Sequence, residues 1–299
     1  MALTNTTTAA GGLGKTLGDA TIAFNHVNVC YPLVSVKQAA KGSNSVQFSD
    51  WTKLTSANVT AATQATATTA IAITSAARTA TISEHVIEAD VSDLVLMGSG
   101  DDVDSNAGPA LGNAVAAKLD ADLTLLGASF SQTVAGAGVS LSLAAIFDSM
   151  RMLRSAGAPM PYSIILHPKQ IWGGKGIISL LHNPAVDTTG TATTNTGKAA
   201  PVGIMGGKGE EAFQTGYVGS IAGFNVYWSD QIVEDGSDDA PGFAMSKGAM
   251  GLGVGAEGLF RIRSERNEAA RYTAYVAVGF WGQIEIKDAY GVYILSDVS

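Results

Sequence analysis

One cysteine, Cys30, is all that 299 residues contain. An intramolecular disulfide and a cysteine-rich metal site are therefore excluded. The four histidines, His26, His85, His167 and His182, lack the His-x-His or His-x3-His spacing of a zinc site. Charge is also thin. Charged residues make up 15% of the chain, where roughly a quarter is usual for a soluble domain. The net charge of −8 argues against a surface built to grip nucleic acid, which needs clustered Lys and Arg. It does not exclude a chain that merely encloses nucleic acid. No uninterrupted apolar run reaches the length of about 18 residues that a membrane span needs. The first residues lack the basic start and apolar core of a secretory signal, so an intracellular chain is expected. Between Gly42 and Gly98 there is neither glycine nor proline.

What is present is small and apolar. Hydrophobic residues make up 46% of the chain, and 35 residues are glycine. The length allows one large or two modest domains. Many small residues and few charges suit a chain that covers much of its surface with other subunits.

Two glycine-rich stretches suggest phosphate binding. In "AAGGLGKTLGD", residues 9–19, Gly14-Lys15-Thr16 resembles the end of a P-loop. The first glycine of that loop is replaced by Ala9, and no strand-forming segment precedes it. A flexible N-terminal arm is the competing reading. "GVGAEG", Gly253–Gly258, matches Gly-x-Gly-x-x-Gly. That signature needs a following helix, whereas "LFRIRSE" reads as a strand. "DVDSNA", 102–107, starts like a calcium loop but has Ala107 where glycine belongs and Asn113 where glutamate belongs. His167 precedes Pro168 at an expected strand–helix junction, where a structural or an acid/base role would fit. No paired carboxylates or Cys–His arrangement stand out. No catalytic residue, cofactor or metal is assigned.

Along the chain, "SVQFSDWTKL" and the Thr/Ala-rich stretch 55–83 read as a long two-stranded ribbon, with Ile71 and Ile73 alternating at period two. Arg78 is the only charge within 55–83. Such a ribbon is marginal alone in water and must lie on something, either a neighbouring subunit or its own β domain. A helix of about 20 residues follows, with Leu111, Val115, Leu119, Leu123 and Leu126 on one face and Pro109 in its first turn after a Ser105 or Asn106 cap. Asp122 falls in that stripe, either as the i,i+4 partner of Lys118 or as a buried contact between subunits. Residues 141–157 form a second helix that stops at Gly157. Then come a strand "YSIILH", a helix at "PKQIW", a flexible loop over 187–200, a strand over 221–230 and an acidic turn over 235–242. A strand-rich tail closes the chain, its "RNEAAR" section being a loop or a short helix. The sum is an α+β chain.

This order of elements, with "AAKLDADLTLLGASF", "YSIILHPKQIW", "IAGFNVYWSDQI" and the tail from "GLFRIRSERNEAARYTAYVAVGF", resembles the major capsid proteins of tailed bacteriophages with the Hong Kong 97-type fold. The resemblance implies an N-terminal arm over 1–43 and an extended loop, a β-hairpin, over 44–83. It implies a peripheral domain over 84–137 with a spine helix at 105–128, and an axial domain over 138–250. Peripheral strands over 251–286 and a return to the axial domain over 287–299 complete it. It implies hexamers and pentamers of the chain itself in an icosahedral shell around DNA, with portal, scaffolding and decoration proteins as partners, assembled in the host cytoplasm into a virion. Trp51, Lys53, Ile71, Ile73 and Arg78 on the ribbon, Lys15 on the arm and Asp122 on the helix become the candidate inter-subunit contacts. The alternative is a ligand-binding or nucleotide-dependent enzyme using the Gly253–Gly258 loop.

Overall fold

In a computed structural model, residues 28–62, 64–65, 67–98, 103–173, 175–177 and 217–298 are described. Strand β1 (Ser35–Gln38) leads into a ribbon of β2 (Ser45–Trp51) and β3 (Ser75–Thr81). β4 (Ser83–Ser92) and a short helix α1 (Asp93–Gly98) precede the long helix α2 (Val103–Gly127). The apolar stripe explains where α2 lies. Leu111, Val115, Leu119 and Leu123 are buried in one cluster with Tyr275, Ala277 and Trp281, and Leu126 packs on its edge. Fully burying each such side chain is worth about 1.5–3 kcal/mol. The helix begins earlier than the sequence suggests. Pro109 lies inside it rather than in its first turn, and Ser105 and Asn106 are helical rather than capping.

Two sheets organise the rest. In the first, the 14-residue strand β12 (Tyr272–Glu285) is central. β4 pairs with one side of it, while β11 (Phe260–Asn267) and then β10 (Met250–Val254) pair with the other, all antiparallel. β1 joins β10 in parallel. The register sets Val276 of β12 between Glu88 of β4 and Arg263 of β11. Because strand side chains alternate, Val91, Ile262, Tyr275 and Ala277 face α2. Glu88, Val276 and Arg263 face the other way.

The second sheet has the order β5–β13–β9–β6–β8–β7. Its members are β5 (Thr133–Ser140), β6 (Tyr162–Leu166), β7 (Tyr217–Ile221), β8 (Phe224–Trp228), β9 (Asp239–Ser246) and β13 (Gly291–Asp297). β5 crosses the 137/138 boundary expected between two domains and lies wholly in this sheet. Helix α3 (Leu143–Ala156) covers one face; Ser142 accepts a bond from the Ala145 N–H at its start, and Gly157 ends it in the left-handed region at φ 67°. β6 is buried throughout, with Ile164 and Leu166 facing the α3 side and Ile165 facing the α2 cluster. Helix α4 (Pro168–Trp172) follows, and its buried Gln170 donates to the Ala240 carbonyl and to Ser296 Oγ, each at 2.8 Å.

Several boundaries differ from the sequence reading. Ribbon pairing stops at Trp51 and Ser75, so Ile71 and Ile73 lie beyond the strands despite their alternation. Residues 84–97 are a strand and then α1. The expected 221–230 strand is β8, preceded by a tight turn from β7. The acidic turn covers only 235–238, since β9 begins at Asp239. The "RNEAAR" section is the end of β11 and a turn. The 187–200 stretch lies outside the described residues.

Candidate assembly surfaces

The base of the ribbon belongs to the chain's own core. Val46, Phe48 and Ala80 are buried against Ile82, Ile284 and Ile286. Glycines in β10 make the approach possible: a Cβ on Gly251 would stand 2.9 Å from the Phe48 ring, and one on Gly253 3.2 Å from Val46. Lys287 Nζ pairs with Asp50 at 2.9 Å. The Thr52 N–H donates to the Thr74 carbonyl at 2.9 Å, closing the paired section.

Past that point the described residues of 53–73 are exposed. Trp51 is 58% exposed, Val59 81% and Ile73 61%. Ile71 and Arg78 are exposed too. The ribbon candidates are therefore exposed, but not on one face: Arg78 is paired with Phe48 and shares its side, whereas Trp51 is paired with Ser75 and points to the other. Lys53 is exposed as well, but its end reaches the body of the chain. Its ammonium occupies the space beside Gly157 that a Cβ would need, close to the negative end of α3.

Asp122 is engaged within the chain. Lys118 Nζ lies 2.6 Å from one carboxylate oxygen, and the buried Trp281 indole N–H donates to the other at 3.1 Å. His85 stacks on that indole at 4.0 Å, and burial lowers its pKa. Lys15 and the P-loop-like stretch lie outside the described residues. The Gly253–Gly258 stretch ends β10 and turns directly into β11, so the helix that a dinucleotide site requires is absent there. His167 caps α4, its Nδ1 accepting the Lys169 N–H at 3.3 Å and facing Glu234 at 3.4 Å. A structural role accounts for its position.

Sequence reasoning missed Asp120. It is 1% exposed on α2, and its two oxygens accept the Val29 and Cys30 N–H groups at 3.0 and 2.9 Å. Burial pushes its carboxyl up to about 6, against the lowering by those two amides. Burial likewise raises the Cys30 thiol. Asp120 thus fixes the point where the N-terminal segment joins the body. Its place beside the leucine stripe is the only signal of it in the sequence.

No protein-family model matches the chain, and no curated protein matches it. Solved structures do. The capsid of the cyanophage P-SCSP1u superposes with a TM-score of 0.61 at 16% identity, covering 88% of this chain and 86% of that one. The capsid of a native GTA particle gives 0.60 at 12% identity and 90% of each chain. The virus-like particle from Pyrococcus furiosus gives 0.58 at 10% identity, over 94% of this chain and 98% of that one. An α+β capsid fold is therefore the class to which the chain's architecture belongs. Phage capsids recur among the structures whose fold it shares, bacteriophage PhiM1 being another at a TM-score of 0.57 and 11% identity.

Proposed function

We propose that this chain is the major capsid protein of a tailed phage, assembling as hexamers and pentamers into an icosahedral shell around the genome. The observation that carries the reading is the uncovered ribbon tip on a capsid fold. Residues 53–73 have almost no charge and few large apolar groups, and their own chain leaves the described ones exposed. A free extended segment of this kind gains order from contact with a second surface. A neighbouring subunit supplies that surface, and Trp51, Ile71, Ile73 and Arg78 are the contact residues in this reading. The α2–β12 body then acts as the peripheral domain and the six-stranded sheet with α3 as the axial domain. The net negative charge disfavours adhesion of the enclosed DNA to the wall. The reading implies a portal and a scaffolding protein as partners, with or without a decoration protein, and a final location in the virion.

The test is direct. The purified full-length protein is examined by electron microscopy and sedimentation. Rings or closed shells are the expected products. A stable small oligomer at every concentration would overturn the reading.

A further inference from the structure

Among the described residues, the first sheet has two open edges of opposite charge. There β4 pairs only with β12, and its outward-facing positions carry Glu84, Val86, Glu88 and Asp90, all exposed. On the opposite side β11 carries Arg261, Arg263 and Glu265 facing the same way. Arg263 shares a row with Glu88, and Arg261 shares one with Val86. Although the chain is acidic, four of its seven arginines fall within residues 261–271. Local pairing explains only part of this. Arg261 is held by Glu257 at 2.6 Å and lies over the Phe280 ring, and Arg266 is held by Asp93. Glu84, Glu88, Asp90 and Arg263 have no ion pair among the described residues.

We propose that the β4 edge of one copy abuts the β11 edge of the next, with Glu88 facing Arg263. This rests on the shell reading above. The charges decide the symmetry of the contact. Two copies meeting through β4 would oppose three carboxylates to three carboxylates, and two meeting through β11 about its middle would set Arg263 against Arg263; like-charge juxtaposition disfavours both. The contact is therefore heterologous, and a heterologous contact that closes makes a ring of three or more copies. Val86, 59% exposed between Glu84 and Glu88, gives it an apolar centre inside a charged rim. Glu265 shares the Asp90 row, so complementarity ends there. The acidic row also explains how an open ten-residue edge avoids pairing with its own kind.

Full-length wild type, Glu88→Arg, Arg263→Glu and the double exchange are compared by sedimentation and electron microscopy. Both sites are exposed, so circular-dichroism melts should coincide. Each single change should raise the concentration needed for assembly by ~10-fold or more, and the exchange should restore it. A Glu88→Cys/Arg263→Cys variant, mildly oxidised, should give a ladder of disulfide-linked copies; this arm does not depend on the charge variants folding. Singles that assemble like wild type, without a ladder, overturn this contact and leave the shell reading standing. A wild type that never assembles overturns both.

Discussion

The two halves of the ribbon are continuous in sequence and opposite in circumstance. At the base, every second side chain of β2 meets its own protein: Val46 and Phe48 point into β10 and the end of β12, and Ala80 joins them from β3. At the tip, Val59, Ile71 and Ile73 are left exposed, as is Trp51 where the pairing ends. Composition alone does not separate the halves, since both are rich in Ser, Thr and Ala. What separates them is the Gly251–Gly253 track, which receives the base and has no counterpart under the tip. The chain thus builds the platform and leaves the overhang uncovered.

The strongest way to break this contrast is to remove the overhang. Replacing residues 53–73 with Asn-Gly joins Thr52 to Thr74 through a two-residue hairpin turn. The monomer should keep its circular-dichroism spectrum and melting transition, while electron microscopy should find no shells. Normal shells would show that the tip is dispensable; an unfolded monomer would show that it belongs to the core. The base should behave in the opposite way. Phe48→Ala, at a site 2% exposed, should cost about 3–5 kcal/mol in urea unfolding of the monomer. A loss below about 0.5 kcal/mol would mean that the base, too, is only resting on the body.

The other fastening point offers a comparison through pH. Asp120 has its folded pKa raised to about 6, so the folded state binds its proton more tightly than the unfolded chain does. This stability is fully present below the ordinary carboxyl range and is lost as pH climbs through 6. The amount is about 3 kcal/mol. Unfolding of the monomer between pH 4 and 7 should show this slope in wild type and lack it in Asp120→Asn. An equal slope in both would assign it elsewhere. The smallest effect belongs to the tip: Ile73→Ser should change monomer stability by less than about 0.5 kcal/mol while weakening assembly. Equal assembly would remove Ile73 from the contact.

Periodicity served well where burial is one-sided. The leucine stripe of α2 and the stop at Gly157 were legible because helix geometry converts spacing directly into a face. Alternation failed at Ile71 and Ile73, because β-branched residues favour extended backbone whether or not a partner strand exists. Pro109 misled on the start of α2: proline favours a first turn, but here the helix already runs from Val103 and takes the proline inside it. The acidic edge could have been found in "SEHVIEAD", where Glu84, Glu88 and Asp90 share one parity; the basic edge likewise in "FRIRSE". Asp120 was hidden because its partners are backbone amides 90 residues away, and no sequence pattern records those.

β12 has a mechanical consequence. Residues 272–281 are paired with β4 on one side, and the strand is paired with β11 and then β10 on the other, with 282–285 held by β10 alone. A pull along its axis loads those hydrogen bonds in shear, so that many must fail together. A pull across it would peel them one pair at a time. An extended strand also has almost no slack, at about 3.3 Å per residue. The sheet is therefore stiff along β12 and compliant across it. Deformation of the molecule along that axis is taken up at the turns, and the strand keeps its length.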